Sequence, residues 1–316
     1  MIVALAALLF WAARQAPLRE ILMTLSRLRP WQLVVLILAN AVVVTLMTAR
    51  WWLIVRAEAP GVPFLPLLGA RLSSFALSYL TPGPQVGGEP VQVAHLRTVH
   101  SLSLARAVTS VLLDKLLEFI GNFVLIAIGA AAVVRVGLAP ATAGTSPGFW
   151  LAVGALLALP ALYVLALRSR RRPLRAALLR LAPSQARTNW FRVTAASEHL
   201  AATFMHRHTR ALIAALTASL GAWLAMAVEY ILMVRFLGID LGLGQALVAL
   251  AASLLAFLIP LPGGLGALEA SQVGVLAAFE IPAAQALGLT LLLRARDLLN
   301  VAAGVILSHS SVGGRR

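Results

Sequence analysis

Apolar residues fill long stretches of the chain, and short polar or proline- and glycine-containing segments separate them. A helix needs about 20 mainly apolar residues to cross the hydrocarbon core of a bilayer. The pattern therefore predicts about seven or eight membrane elements, some of them broken. The apolar stretches are 2–13, 31–55, 65–80, 103–134, 149–167, 211–237, 246–259, 267–279 and 284–307.

The composition indicates that lipid is the main solvent of this chain. Hydrophobic residues make up 60% of the sequence and charged residues 12%, whereas soluble domains carry about 25% charged residues. We therefore predict an all-α, polytopic integral membrane helix bundle, with residues 1–316 forming a single membrane domain. The sequence has no cysteine, which excludes disulfides, thiolate metal sites and a cysteine nucleophile.

Positive charge is concentrated between the apolar stretches. The net charge is +15, and the polar segment 168–210 holds ten arginines but one acid, Glu198. The aromatic residues are not interleaved with the arginines, so we expect anionic lipid headgroups and not nucleic acid as the partner. The positive-inside rule predicts that this segment and Arg14–Arg29 both lie in the cytoplasm. We expect a multi-pass protein of the bacterial inner (cytoplasmic) membrane.

Two segments of the chain match in their spacing of proline, glycine and acid. Pro82–Glu89 and Pro262–Glu269 each begin with Pro-Gly and place a glutamate seven residues after the proline. A charged residue follows each glutamate by 25 positions, Asp114 in the first case and Arg294 in the second. This match predicts an internal duplication of the chain.

The matched segments are predicted to break their helices inside the membrane. Proline lacks an amide donor and glycine permits unusual backbone angles. The backbone groups that a break leaves unpaired must be buried in protein or line a cavity, and broken helices in two repeats are typical of transporter binding sites. The alternative is two ordinary kinks between packed helices. Repeat 1 covers about 31–134 and repeat 2 about 211–307, with helix-break residues Pro82, Gly83, Gly87, Gly88, Pro262, Gly263, Gly264 and Gly266.

Several ionisable residues lie in or beside the apolar helices. Such residues usually face a bundle interior or a polar path. Asp114 and Glu118 are four residues apart and share one helix face, and Lys115 can reach Glu118. The alternative is that these groups form internal ion pairs that fix helix packing. The acids concerned are Glu89, Asp114, Glu118, Glu229, Glu269 and Asp297.

At these positions the chain resembles the transmembrane region of lysylphosphatidylglycerol synthetases and its stand-alone, flippase-like relatives. The resemblance spans nearly the whole chain. It departs from the family at Lys115, where arginine is common, and at Pro84, which stiffens the first break. The residues that carry it are Arg50-Trp51, Gly87-Gly88-Glu89 followed by Arg97, Leu113-Asp114-Lys115-Leu116, Pro262-Gly263-Gly264-Leu265-Gly266 with Glu269, and Arg294.

The resemblance implies that the protein moves a lipid with a polar or charged headgroup between leaflets. Acids would contact cationic or hydroxyl groups of the head, and Lys115 and Arg294 would contact its phosphate. The larger family members carry a cytosolic aminoacyl-transferase domain, which this sequence does not show, so we expect no such activity. The candidate substrate-binding residues are Gln85, Glu89, Asp114, Lys115, Glu118, Glu269, Arg294 and Asp297.

Two other functions stay open at this point. An intramembrane lipid-modifying enzyme would use Glu89, Asp114 and Glu118 as acid/base or metal groups, and a scaffold of a lipid- or glycolipid-synthesis complex would move nothing. We expect a non-enzyme without cofactor or metal, because no nucleotide-binding motif occurs and no histidine metal pair lies in a span. The sequence leaves open the oligomeric state, with a homodimer as one option, and whether the repeats are parallel or inverted.

Overall fold

A computed structural model describes residues 18–81, 87–138, 146–169, 171–181 and 188–313 of the protein. These ranges contain helices and no strand, so the predicted all-α bundle is confirmed. The first apolar stretch, 2–13, lies outside the described residues. So do Pro82, Gly83 and Gln85.

The described residues form twelve α-helices and one 3-10 turn, and most helices begin where the apolar stretches begin. A proline within the first turn opens α2 and α6, a position where its missing amide costs nothing. The Ser103 hydroxyl caps α5 by accepting from the Arg106 amide at 3.4 Å. The helices are α1 Leu18–Ser26, α2 Pro30–Glu58, α3 Phe64–Leu80, α4 Glu89–His100, α5 Leu104–Arg135, α6 Pro147–Arg168, α7 Pro173–Leu181, α8 Asn189–Arg207, α9 Thr209–Phe236, α10 Leu243–Leu258, the turn Pro262–Gly264, α11 Ala267–Ala277 and α12 Ala283–Gly313.

Fewer helices are able to cross a membrane by length and composition than the sequence predicts. Within the described ranges, α2, α5 and α9 qualify, and α6 is a fourth if its two parts, bent by 45° around Pro160, count as one span. The helix α12 is 31 residues long but carries Arg294, Arg296 and Asp297 in its middle. The remaining apolar stretches, α3 and α10, are 17 and 16 residues long and end at the Pro-Gly breaks.

The helices before and after the arginine-rich segment match in order and length. The first half, α2 to α5, has helices of 29, 17, 12 and 32 residues. The second half, α9 to α12, has helices of 28, 16, 11 and 31 residues. The duplication remains an interpretation, and this agreement supports it.

Both breaks turn the chain back along the helix that precedes them. The Gly88 amide donates to the Ser78 hydroxyl at 2.8 Å, so α4 starts beside the last turns of α3. In the second half, the Gln272 amide of α11 donates to the Ala249 carbonyl of α10 at 3.0 Å. A continuing helix could not make contacts between residues this far apart, so α3–α4 and α10–α11 are re-entrant hairpins. Hairpin 1 denotes residues 64–81 and 87–100, and hairpin 2 denotes residues 243–277.

The long helices pair antiparallel across the two halves. Trp31 at the start of α2 packs edge-on against Phe236 at the end of α9, with ring centroids 5.4 Å apart. The Ser73 hydroxyl of α3 donates to the Gly304 carbonyl of α12 at 3.0 Å. In the equivalent pair, α5 packs closely against α10. A Cβ added at Gly129 of α5 would collide with the side chain of Ala251 of α10. If the halves are repeats, their relation is therefore inverted, and each half packs its hairpin against the last helix of the other.

The arginine-rich segment and the described arginines near the start of the chain, Arg27 and Arg29, lie at opposite ends of the bundle, and Arg14 lies outside the described residues. Leu167 at the end of α6 packs with Ile54 and Leu113, near the end of α2 and the start of α5. Leu28, after α1, instead packs on the cluster that contains Leu237, beyond the end of α9. The helices α2, α5 and α6 run between the two ends, and each broken helix returns to the end it came from. This arrangement argues against the expectation that both segments lie in the cytoplasm, which stays a prediction.

The described part of the segment 168–210 contains two helices, α7 and α8, at the end of the bundle where α2 finishes. This end, residues 59–63, 101–103, 169, 171–181 and 188–208, is named the arginine-rich end. The α8 helix is anchored on α5, because the Thr109 hydroxyl donates to the Ser197 carbonyl at 3.2 Å. The Glu198 carboxylate accepts from the first amides of α7, Leu174 at 2.8 Å and Arg175 at 2.9 Å. The one acid of the segment thus fixes α7 to α8.

Candidate functional site

A cavity of about 180 Å³ lies where the tips of the two hairpins meet. Tyr79 at the tip of hairpin 1 and Gly263 at the tip of hairpin 2 both line it, and so do residues of α2, α5, α9 and α12. The volume holds on the order of ten water molecules, which fits a small polar headgroup and not a whole lipid.

The cavity wall combines both signs of charge with apolar side chains. One charged group comes from α3 and α5, and the other comes from α9 and α12. Three asparagines, Asn40, Asn122 and Asn300, add neutral donors and acceptors, while Phe75, Leu254 and others form the apolar surface. The charged lining residues are Arg71, Lys115, Glu118, Glu229, Arg296 and Asp297.

The first charged cluster ties α2, α3 and α5 together. Arg50 donates to Asp114 at 2.6 Å and to Glu118 at 2.9 Å, and Arg71 donates to the same two carboxylates at 2.9 and 3.1 Å. Lys115 donates to Glu118 at 2.9 Å, which confirms the contact predicted from their spacing.

Glu89 completes this first cluster and links it to hairpin 1. Its carboxylate lies 3.4 Å from the Lys115 ammonium. Its other oxygen accepts from the Gly87 amide at 2.7 Å. The cluster then contains three cations and three carboxylates, so its net charge is zero. Such balance is what burial in a low-dielectric bundle requires.

The second cluster holds the break of hairpin 2. Arg294 donates to the Glu269 carboxylate at 3.0 and 3.2 Å and to the Gly264 carbonyl at 3.1 Å, and it also donates to the Gly263 carbonyl. Glu269 in turn accepts from the Gly266 amide at 2.8 Å. Backbone groups that the break leaves without helical partners are thereby satisfied, as the membrane interior demands.

Glycine is required at this break by backbone conformation as well as by space. Gly263 and Gly264 have φ of 55° and 62°, and Gly266 has φ of 83°. These angles lie in the left-handed region, where side chains are strained. A Cβ on Gly263 would also lie 2.9 Å from the Tyr79 ring of hairpin 1. The described helix-break glycines of the second segment therefore bring the two hairpin tips into contact.

A third group on the cavity wall joins α9 to α12. Arg296 donates to Asp297 through Nε at 3.0 Å and through Nη2 at 2.7 Å. Its remaining Nη1 lies 3.6 Å from the Glu229 carboxylate, which is beyond hydrogen-bond distance. Asn40 of α2 faces the same carboxylate. This group has two carboxylates and one cation.

The predicted binding residues divide into two sets in the structure. Lys115, Glu118 and Asp297 line the cavity. Asp114, Glu269, Glu89 and Arg294 do not line it. They form the ion pairs described above, and Asp114 is fully buried. Gln85 lies outside the described residues. For the second set, the structure favours the alternative that these charges form internal ion pairs that fix helix packing. That these residues also contact a substrate stays a prediction.

Sequence reasoning missed several residues of the cavity wall. Arg71 lies in the middle of the 65–80 stretch, and Arg296 lies two residues after Arg294, so a search for every charge in an apolar stretch would have found both. The sequence indicates Arg50, which lies behind the wall in the first charged cluster, only through the family resemblance. Gln92 and Gln272 are 180 positions apart, as are Glu89 and Glu269, and this shared offset was a further signal. The Gln272 carbonyl accepts from the Tyr230 hydroxyl at 2.6 Å.

The fold and the site together define a polytopic helical membrane protein with two re-entrant hairpins around a charged interior cavity. The family described as the lysylphosphatidylglycerol synthase TM region matches residues 1–304. The chain belongs to this family, and the resemblance stated from its motifs is confirmed. Neither a curated protein nor a solved structure matches the chain.

Proposed function

We propose that this protein is a flippase-like transporter that moves a lipid with a polar or charged headgroup between the leaflets of the bacterial cytoplasmic membrane. The observation that carries the proposal is the cavity at the hairpin tips, which charges of both signs and apolar residues line together. The arginine-rich end faces the cytoplasm in this proposal, in line with the positive-inside rule.

The cavity supplies what a headgroup needs in order to cross the membrane. A charged side chain at the centre of a bilayer costs about 3 kcal/mol or more. The carboxylates, guanidinium groups and asparagines of the wall offer a headgroup polar partners in place of water. Phe75, Leu254 and Phe257 offer an adjoining apolar surface for the first part of the acyl chains.

The inverted relation of the halves supports a two-sided mechanism. Hairpin 1 enters the bundle from the arginine-rich end and hairpin 2 enters from the opposite end, and their tips meet at Tyr79 and Gly263. Movement of one hairpin would open the cavity to one side, and movement of the other would open it to the other side. Alternating access of this kind is common where inverted repeats surround a midplane site.

A cavity-blocking variant tests the proposal. Val44 of α2 lines the cavity, while Val42 of the same helix is exposed on the outer surface of the bundle. We expect Val44→Trp to abolish leaflet exchange of fluorescent phospholipids and aminoacyl lipids in proteoliposomes. The matched control Val42→Trp adds the same bulk toward lipid and should leave exchange unchanged.

Two results would overturn the proposal. The first is a wild-type protein that moves none of a panel of anionic, zwitterionic and cationic lipids. The second is equal exchange by wild type and by a correctly folded Val44→Trp variant. Chemical conversion of a lipid by the wild type in detergent, with no leaflet exchange, would instead favour an intramembrane enzyme.

A further inference from the structure

Glu229 is a buried carboxylate without the partners that the other interior acids have. It is 1% exposed and lies on α9 at the cavity wall. Of the buried acids in the described ranges, Glu229 is the one in which neither carboxylate oxygen accepts a hydrogen bond of normal geometry. Asn40 and Arg296 face it only loosely, with the Arg296 Nη1 3.6 Å away. Burial of an ionised carboxylate without such partners is costly. Binding of a proton or another cation would remove this cost, so the site is suited to take up a positive charge.

The charges around Glu229 leave one negative charge in excess. On α12, Arg296 and Asp297 face it, and Arg296 already makes two hydrogen bonds to Asp297. On α2 the facing group is the neutral amide of Asn40. The α10 helix carries no ionisable side chain. From α5, Lys115 and Glu118 reach the same cavity, but they belong to the first cluster, whose charges are balanced.

The whole ion-paired interior shows the same imbalance. Its cations are Arg50, Arg71, Lys115, Arg294 and Arg296. Its carboxylates are Glu89, Asp114, Glu118, Glu229, Glu269 and Asp297. Among the described residues the carboxylates exceed the cations by one, and the one ion pair found there for Glu229, to Arg296, is 3.6 Å long.

We propose that Glu229 binds the proton whose movement is coupled to lipid movement. This inference rests on the proposed function. A proton taken up by the carboxylate neutralises the excess charge while the cavity faces one side, and its release follows when the cavity faces the other. Since Glu229 lines the cavity and lies beside Asp297 and Arg296 of α12, its charge acts on the groups that would contact a headgroup.

The test combines transport with a direct measurement of protonation. Leaflet exchange is measured in proteoliposomes with and without an imposed pH gradient, for wild type, Glu229→Gln and Glu229→Asp. Infrared spectroscopy over a pH series records the carbonyl stretch of a protonated carboxylic acid in the same proteins. Glu280→Gln, which changes an exposed glutamate, is the matched control.

We expect the gradient to change the wild-type rate and to have no effect on Glu229→Gln, while Glu229→Asp and Glu280→Gln keep the response. The infrared band should be present in wild type and absent in Glu229→Gln. The inference is overturned if Glu229→Gln keeps the gradient response or if wild type lacks the band. Exchange of a cationic lipid that does not depend on the pH gradient would also overturn it, because the headgroup would then supply the positive charge in place of a proton. A wild type that moves no lipid under any gradient contradicts the proposed function itself. Exchange that does not depend on the gradient contradicts only the proton coupling.

Discussion

Arg50 and Asp114 form an ion pair with 2.6 Å between Nε and Oδ1, and at most 1% of either side chain is exposed. They lie 64 residues apart in sequence and join α2 to α5. Asp114 also accepts from Arg71 of α3, so one carboxylate holds three helices. This arrangement makes the pair a centre of stability behind the cavity wall.

We expect Asp114→Asn to destabilise the protein by about 3–5 kcal/mol, because it leaves Arg50 buried with an unbalanced charge. The double variant Arg50→Met, Asp114→Leu removes one charge of each sign and should recover much of the loss. Denaturant unfolding in detergent measures both effects. The control Glu58→Gln alters a more exposed acid, 3.9 Å from Arg106, and should change stability by less than about 1 kcal/mol. Equal stability of Asp114→Asn and wild type would contradict this role.

Arg294 is expected to hold the break of hairpin 2, and lysine should not replace it. Lysine has a single nitrogen and cannot reach the Glu269 carboxylate, two glycine carbonyls and the Tyr79 hydroxyl together. Arg294→Lys should therefore cost about 1–3 kcal/mol and speed amide hydrogen exchange of residues 259–266. The control Arg235→Lys changes an exposed arginine at the end of α9. Unchanged exchange at the break in Arg294→Lys would show that the carbonyls have other partners.

Gly88→Ala tests the close approach within hairpin 1. The new Cβ would lie 1.9 Å from the Ser74 carbonyl oxygen, and backbone atoms cannot yield that space cheaply. The φ of Gly88 is −91°, so the expected effect is steric and not conformational. We expect a lowered thermal midpoint of unfolding in detergent. In Gly274→Ala the new Cβ meets nothing within 4 Å, and stability should stay the same or rise by up to about 1 kcal/mol. A Gly88→Ala protein as stable as wild type would show that α4 does not pack on α3 in this way.

The inverted arrangement predicts opposite exposure of two surface positions. The natural sequence has no cysteine, so single cysteines can be introduced without background. Ser26→Cys changes the exposed last residue of α1, and Arg180→Cys lies on α7 at the arginine-rich end. A membrane-impermeant maleimide applied to intact cells should label Ser26→Cys only, and Arg180→Cys should react only after the membrane is opened. Labelling of both from outside would rule out three crossings between these positions.

The sequence determined the properties that depend on local chemistry. Composition and apolar length require a helical membrane protein, because only internally hydrogen-bonded helices or closed barrels satisfy the backbone in lipid. The Pro-Gly segments indicated where the helices break, and in the described part the second break lies at Pro262–Gly264 as expected. The three-residue spacing of Lys115 and Glu118 was enough to predict their contact.

Only the tertiary structure decided which charges meet and which face the cavity. Asp114 pairs with Arg50 and Arg71, and Glu269 pairs with Arg294, across sequence separations that no spacing rule connects. Whether a broken helix continues or turns back depends on contacts with distant residues, such as Gln272 with Ala249. Those contacts set the number of crossings, and therefore the end of the bundle at which the arginine-rich segment lies. Local sequence fixes a helix and its break, but long-range packing alone fixes its direction and its partners.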